Sequence, residues 1–499
     1  MIAMPLRRIA RGLALGAIAA GLMATAPAPA PVADGVTDLL VRALQSSPAI
    51  GNAAALQTAA DRSLTDALLG FAPRASWVFD NSNERLNVKR SSSSIYRVGV
   101  SSFSNYGNTL QVVQPLFDPR LFAQLHGSHF AARRSQAELD GTRQRVIFDL
   151  IQAYLVVLGS ADALVVSRAE ENALAVQQEQ MTLRVQRGLA SQVDQDEVIS
   201  RLMQARAQAQ AAASTLTQSF ATLERRVSGK VTALLPLGGP IPMPPPEPID
   251  VEAWVEAARE RNPEVVALVN AAGEAWATFE AQGAALSPRI DFTYTQSRNE
   301  TGGSVYGGGS LTADQTWLLR LTVPLFNADG GGYPARAAHA RARAARYRTD
   351  DQRLEVEERV RTAYEEILGN SSRANDVARA AAAQERVVQA KRERYTAGLV
   401  RITEVLDSER DLFQVRRTLL ASRYNYLLNL IQLKRLAGDI SEGDAAVIDA
   451  ILLRNGPVVT RAGADGLSSP APAASTGRPG TGQLSATSNP SATPASILR

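Results

Sequence analysis

The amino-acid sequence predicts a mainly α-helical chain with a small β part, assembled from a duplicated unit of two strands and long antiparallel helices. Three observations carry this prediction. The chain matches itself at a lag of about 210 residues, too long for a solenoid unit and suited to a duplicated domain. Two segments, 118–186 and 334–396, are free of proline beyond their first turn and read as single long helices. Short stretches ahead of each alternate apolar and polar residues with the period of two that marks a strand.

The N-terminus comes first. Arg7, Arg8 and Arg11 precede a short apolar run, GLALGAIAAGLMA, and then the small-residue segment TAPAPAPVA. This order predicts a secretory signal peptide over 1–33, with an apolar run too short to span a membrane as a helix. The first repeat is expected over 34–235, a Pro-rich linker over 236–249, the second repeat over 250–440, and a largely disordered C-terminal extension over 441–499. The linker, PLGGPIPMPPPEP, can be neither helix nor central strand, because its prolines lack the amide proton and fix φ. The tail from about 456 onward is rich in Ser, Pro, Ala, Gly and Thr and has little to bury.

Five landmarks recur in the same order in both halves. SSPAI at 46–50 faces RNPEV at 261–265, and Pro73-Arg74 faces Pro288-Arg289. Gln-Pro-Leu-Phe at 114–117 faces Val-Pro-Leu-Phe at 323–326, Ala153-Tyr154 faces Ala363-Tyr364, and Arg187-Gly188-Leu189 faces Ala397-Gly398-Leu399. Each half therefore reads as one helix (36–70 and 250–286), two strands, a very long helix, a glycine turn and another long helix.

In the strands, Ala75, Trp77 and Phe79 alternate with Ser76 and Asp80, and Tyr96, Val98 and Val100 with Arg97 and Gly99. Ile290, Phe292 and Tyr294 alternate with Arg289, Asp291 and Thr293. Trp317, Leu319, Leu321 and Val323 share a face opposite Thr316, Arg320 and Thr322. The pattern fits a transmembrane barrel strand and equally a soluble sheet with one wet face. The polar segments 80–94 and 297–313 are expected as exposed loops. Four strands cannot close a barrel, for which about eight are the minimum, so a membrane barrel would have to be shared among chains. In the long helices Ile147, Leu150, Ile151, Tyr154, Leu155 and Leu158 follow helical spacing, and Ala fills many other packing positions.

Composition excludes several functions. The net charge is only +4, with acids and bases interleaved, which gives no basic stripe for nucleic acid. The absence of cysteine removes disulfides, thiolate metal sites, Cys nucleophiles and a lipidated N-terminal Cys. No phosphate loop, His-Glu-X-X-His or nucleophile elbow occurs, so neither an enzyme nor a cofactor is expected. His126 and His129 share a helix face at i, i+3, but no acidic third ligand accompanies them, and with His339 they are expected to be surface or packing residues.

These features together resemble the TolC family of outer-membrane efflux and secretion proteins over about 36–440. The stretch RYTAGLVRITEVLDSERDLFQVRRTLLASRYNYLLNLIQLKRLAG, 394–438, is the most specific. The resemblance implies a homotrimer with a 12-strand β-barrel in the outer membrane on a 12-helix α-barrel tunnel in the periplasm. It implies a gated exit duct that meets a periplasmic adaptor protein and an inner-membrane ABC or resistance–nodulation–division transporter. On the matching positions, Gly188, Leu189, Gly398 and Leu399 would be adaptor-docking helix tips. Glu404 and Asp407 would form acidic rings at the periplasmic constriction, where the family usually has Asp at both positions. Asp194 and Tyr395 would lock the tip; the family's locking arginine falls on Val400, with Arg401 one place on. The rival reading is a periplasmic structural coiled coil without a pore.

Overall fold

A computed structural model describes residues 34–90, 92, 98–237, 243–303, 308–325, 332–452 and 458–461. The signal peptide (1–33), part of the linker (238–242), Tyr96 and the tail beyond 461 lie outside the described residues. The first half runs α1 (Val36–Ser46), α2 (Pro48–Leu69), β1 (Arg74–Val88), β2 (Gly99–Phe117), α3 (Pro119–Gln186) and α4 (Gln192–Val227), followed by a short β3 (Ala233–Leu234). The second runs α5 (Val251–Arg261), α6 (Pro263–Gly283), a 3₁₀ turn, β4 (Arg289–Thr301), β5 (Ser310–Thr322), α7 (Tyr333–Thr396) and α8 (Ile402–Leu436). Last come α9 (Glu442–Ile451) and β6 (Val459–Thr460).

The two long helices are continuous as expected; at 68 residues α3 reaches roughly 100 Å. Three expectations need correction. The opening helix of each half is two helices, split at Ser47-Pro48 and Asn262-Pro263. Proline pushes the preceding residue out of the helical region and suits the first position of a new helix. Asn262 caps α6 through its side-chain oxygen, which accepts from the Glu264 and Val265 amides. The expected loops 80–94 and 297–313 are shorter than their polarity suggests, since β1 continues to Val88, β4 to Thr301 and β5 begins at Ser310. Backbone pairing persists there although neither face is apolar. Finally, the extension 441–499 is not uniformly disordered: α9 packs on α1, and β6 pairs with β3.

The packing forms four parallel helical lines. Along α3, one flank carries α2 and then α4; α6 and α8 fill the space between α3 and α7 in the same succession. The junctions are polar. Ser46 Oγ donates to the Val227 carbonyl at 3.1 Å where α4 meets α1, and Asn262 Nδ2 donates to the Leu436 carbonyl at 2.8 Å where α8 meets α6. The main core lies at this level and gathers α1, α3, α4, α5, α7, α8 and α9 around Tyr154, Phe220, Leu150, Ile367 and Leu433. An 18-residue stretch of α3 is apolar enough to cross a membrane, but half of it is buried within the chain. The repeated Ala-Tyr landmark belongs to this core. Tyr154 OH donates to the Leu235 carbonyl at 2.9 Å, and Tyr364 OH donates to the Ile249 carbonyl, so each phenol pins one end of the linker.

At one end the strands form a single antiparallel sheet in the order β1-β2-β4-β5, with β1 and β5 as open edges. At the other end the two hairpins, α3–α4 and α7–α8, turn.

Candidate functional site at the helical hairpin tips

Both tips use the same backbone device. Gly188 (φ 69°) and Gly398 (φ 75°) adopt the left-handed conformation that an L side chain resists. Each glycine amide donates three residues back, to Val185 and Tyr395, and the following leucine amide donates five back, to Arg184 and Arg394. This closes each helix and throws Leu189 and Leu399 into solvent, at 72% and 73% exposure. Between α3, α7 and α8, just inside the tips, lies a cleft of about 400 Å³ with Met181, Arg184, Arg392, Tyr395 and Ile402 on its walls.

Beyond the turns the two halves diverge. Ser191 and Asp194 stand three and six residues after Gly188; Arg401 and Glu404 stand at the same offsets from Gly398. In the first half they form a reciprocal capping box, in which Ser191 Oγ accepts from the Asp194 amide at 3.1 Å and the Asp194 carboxylate takes the Ser191 hydroxyl at 2.7 Å. In the second half Arg401 has no side-chain cap bond. Among the described residues no hydrogen bond or ion pair engages the exposed Glu404 carboxylate; Lys391 Nζ reaches only its backbone carbonyl, at 3.2 Å.

The expected lock is not assembled within the chain. Asp194 is committed to its cap, and Tyr395 lies under the Arg184 guanidinium, 4.7 Å from the ring centroid. No hydrogen bond joins the two among the described residues, and exposed Arg401 meets neither. Asp407 also differs from a free ring carboxylate. It accepts from Arg201 of α4 at 3.0 Å, with Arg410 at 3.7 Å; Arg201 also holds Glu197 at 3.0 Å.

Sequence reasoning missed Glu409. Its side chain is 4% exposed. Gln177 Nε2 of α3 donates to both of its oxygens at 2.7 and 2.6 Å, and Arg392 of α7 pairs with it at 2.6 Å. One carboxylate thus ties α8 to both neighbouring helices. Higher up, Glu170 of α3 pairs with Arg417 at 2.7 Å, and Asp162 accepts from Tyr424 OH at 2.6 Å. Burial raises the Asp162 carboxyl above its ordinary range, against the pull of the Tyr424 hydrogen bond and Arg423. Mostly on the tip side of these ties, a small apolar core joins Leu174 and Met181 of α3, Val198 and Leu202 of α4, and Ile402, Val405 and Leu406 of α8.

The histidines sit far from the tips, near the strands. His126 and His129 are exposed, and His339 packs its ring 5.1 Å from Phe279. Among the described residues no cluster of His, Asp or Glu could hold a metal ion.

Comparison with known proteins agrees with this architecture. The family model for outer membrane efflux proteins matches residues 39–229 and 254–439. Alkaline protease secretion protein AprF of Pseudomonas aeruginosa is 25% identical over 350 residues, covering 70% of this chain and 73% of that one. Outer membrane protein TolC of Vibrio cholerae is 22% identical over 420 residues, covering 84% and 94%. Among solved structures, CusC superposes with a TM-score of 0.71 at 17% identity, covering 82% of this chain and 92% of its own, so the fold is shared. With both halves matched and the long-helix fold in common, the chain belongs to the outer membrane efflux protein family.

Proposed function

We propose that the chain is one third of a homotrimeric exit duct, a passive conduit gated at its periplasmic tips and without chemistry of its own. The observation that carries this reading is the obliquity of the apolar belt on the sheet. The belt centres on Trp77 in β1, Phe292 in β4 and Leu319 in β5. The ladder row through Trp77 passes through Leu110, Gln296 and Gln315, which is four residues from Phe292 and from Leu319. At ~3.3 Å per residue and ~4.8 Å per strand, the belt climbs roughly 13 Å over roughly 14 Å of sheet, a slope of about 40°. A flat hydrocarbon slab demands this of strands tilted by about 35–45°. The upper hairpins shift the same way, because Thr301 at the top of β4 lies on the row of Asn105 and Ser82, below the Val88 end of β1.

Two open edges in lipid require partners, and three copies of four strands give a closed twelve-strand barrel. Helix α2, which buries none of its residues within the chain, then meets α7 of the next copy. The exposed Leu189 and Leu399 suit docking by a periplasmic adaptor, which would link the duct to an inner-membrane ABC or resistance–nodulation–division transporter. Relatives named for protease secretion support the polypeptide-exporting branch. The gate lies where α8 begins, around Glu404 and Asp407. Glu404→Ala combined with Asp407→Ala should raise single-channel conductance in planar bilayers and weaken block by multivalent cations. Unchanged conductance would remove the gate from this end.

A further inference from the structure

We infer that the two acids at the start of α8 have different tasks: Asp407 is half of an intrachain clamp with Arg201, and Glu404 alone faces the passage. The inference rests on the gated-duct reading and assigns the residues within it. The pairing is specific. Arg201 projects from α4 and holds one acid from each half of the chain, Glu197 at 3.0 Å and Asp407 at 3.0 Å. Glu197 and Asp407 occupy the same position relative to Gly188 and Gly398, nine residues on, so a single guanidinium bridges equivalent points of the two repeats. Its planar fork, with five donors, can serve two carboxylates at once.

Location gives the bridge its consequence. Over most of their length α4 packs on α3, and α8 packs chiefly on α7 and less extensively on α3, so α4 and α8 touch little. Near the tip the small core brings Val198 and Leu202 of α4 toward Val405 and Leu406 of α8, and among the described residues Arg201–Asp407 is the ion pair that joins those two helices. Swinging the α7–α8 hairpin away from α3–α4 must break it. Arg201 is 24% exposed and Asp407 46%, so water competes and the clamp is weak by design of its surroundings. The ties further along α8, through Glu409 and Glu170, are buried and hold where the tip lets go. The Asp407 charge is also largely spent on Arg201 and Arg410, whereas Glu404 has no ionic partner among the described residues.

An exposed pair of this kind biases an equilibrium by about two- to five-fold, or about 8- to 125-fold if three copies release together. The test uses purified full-length protein in planar bilayers, with heat-modifiable oligomer on gels as the check for assembly. Arg201→Gln and Asp407→Asn should each raise the open fraction by that factor, their combination should equal either alone, and Arg201→Lys should retain most of the closure. Block by multivalent cations should stay at wild type in Arg201→Gln and weaken in Glu404→Ala. If Arg201→Gln fails to assemble, Arg201→Cys with Asp407→Cys in this cysteine-free chain, bridged by a short bis-maleimide, should hold the channel shut. An open fraction that rises in Asp407→Asn and not in Arg201→Gln, or effects that add, overturns the clamp while leaving the gate in place. A double Glu404→Ala/Asp407→Ala variant identical to wild type overturns the gate itself.

Discussion

Replacing Arg392 should damage the tip more than replacing the carboxylate it serves. Glu409 is buried at 4% exposure, and its charge is met by Arg392 at 2.6 Å and by the Gln177 amide. Arg392→Ala leaves that charge in place with only a neutral donor. Breaking a buried pair in this way costs about 3–5 kcal/mol, and because Arg392 is itself half exposed and its loss admits water, about 2–3 kcal/mol is expected here. Glu409→Gln keeps the volume and both helix contacts but exchanges charge-assisted hydrogen bonds for neutral ones, at about 1–1.5 kcal/mol. The freed guanidinium can turn into solvent. The double variant holds no buried charge, so it should resemble Glu409→Gln and be more stable than Arg392→Ala. The assay is native-state hydrogen exchange of the amides in the first three turns of α8, since global melting would report the sheet and assembly instead. Exchange should accelerate about 30- to 150-fold in Arg392→Ala and about 5- to 12-fold in Glu409→Gln. Equal effects, or a double variant that sums them, would refute the reasoning, because each requires that the Glu409 charge be solvated without its partner.

Two further outcomes test the level where the helical lines join. The Asp449 carboxylate of α9 accepts from the Val36 and Thr37 amides of α1 at 2.7 and 3.0 Å, an N-cap supplied from the far end of the chain. Asp449→Ala should destabilise α1 by about 1–2 kcal/mol, with Asp449→Asn recovering part of it, and unchanged exchange at Val36 and Thr37 would count against the cap. Tyr154 and Tyr424 are raised above the ordinary phenol value of 10.0, first by burial and next by nearby carboxylates, Asp449 and Asp162 respectively. A group whose folded pKa is raised contributes stability that is present below its unfolded value and lost as pH rises beyond it. Stability should therefore fall steeply above about pH 10, and Tyr424→Phe should make that fall shallower; an identical slope would show that the phenol titrates normally.

How much of this was legible depended on whether the relevant forces were local. The long helices announced themselves through proline-free, helically spaced runs, and the tips through a glycine at each reversal. The split at Pro48 and Pro263 was also local, since Ser47 and Asn262 are capping residues directly before a proline; the repeat drew attention to the landmark and away from its meaning. Asp194 shows the same tension. Ser191-x-x-Asp194 is a capping-box spacing, yet the family likeness directed it toward Tyr395. Glu409 left a readable trace, because Ile402, Val405, Leu406, Leu412 and Phe413 set out a buried stripe in which it is the one acid. The Arg201–Asp407 pair left none: its members are 206 residues apart, and only the convergence of α4 and α8 brings them together. The role of α9 was hidden by the biased composition that follows it.

The contrast between Asp194 and Glu404 has an evolutionary reading. After a duplication the two copies of a position begin with the same duty, here an acid in the first turn of a helix that leaves a glycine reversal. In one copy a serine three residues earlier keeps that acid occupied with its own backbone. In the other copy an arginine stands in place of the serine, and the acid is released. Redundancy between the halves would let a residue be withdrawn from structure and, in the gated duct proposed above, lent to transport without any change in fold, so the place to look for divergence among relatives is the capping position rather than the acid itself.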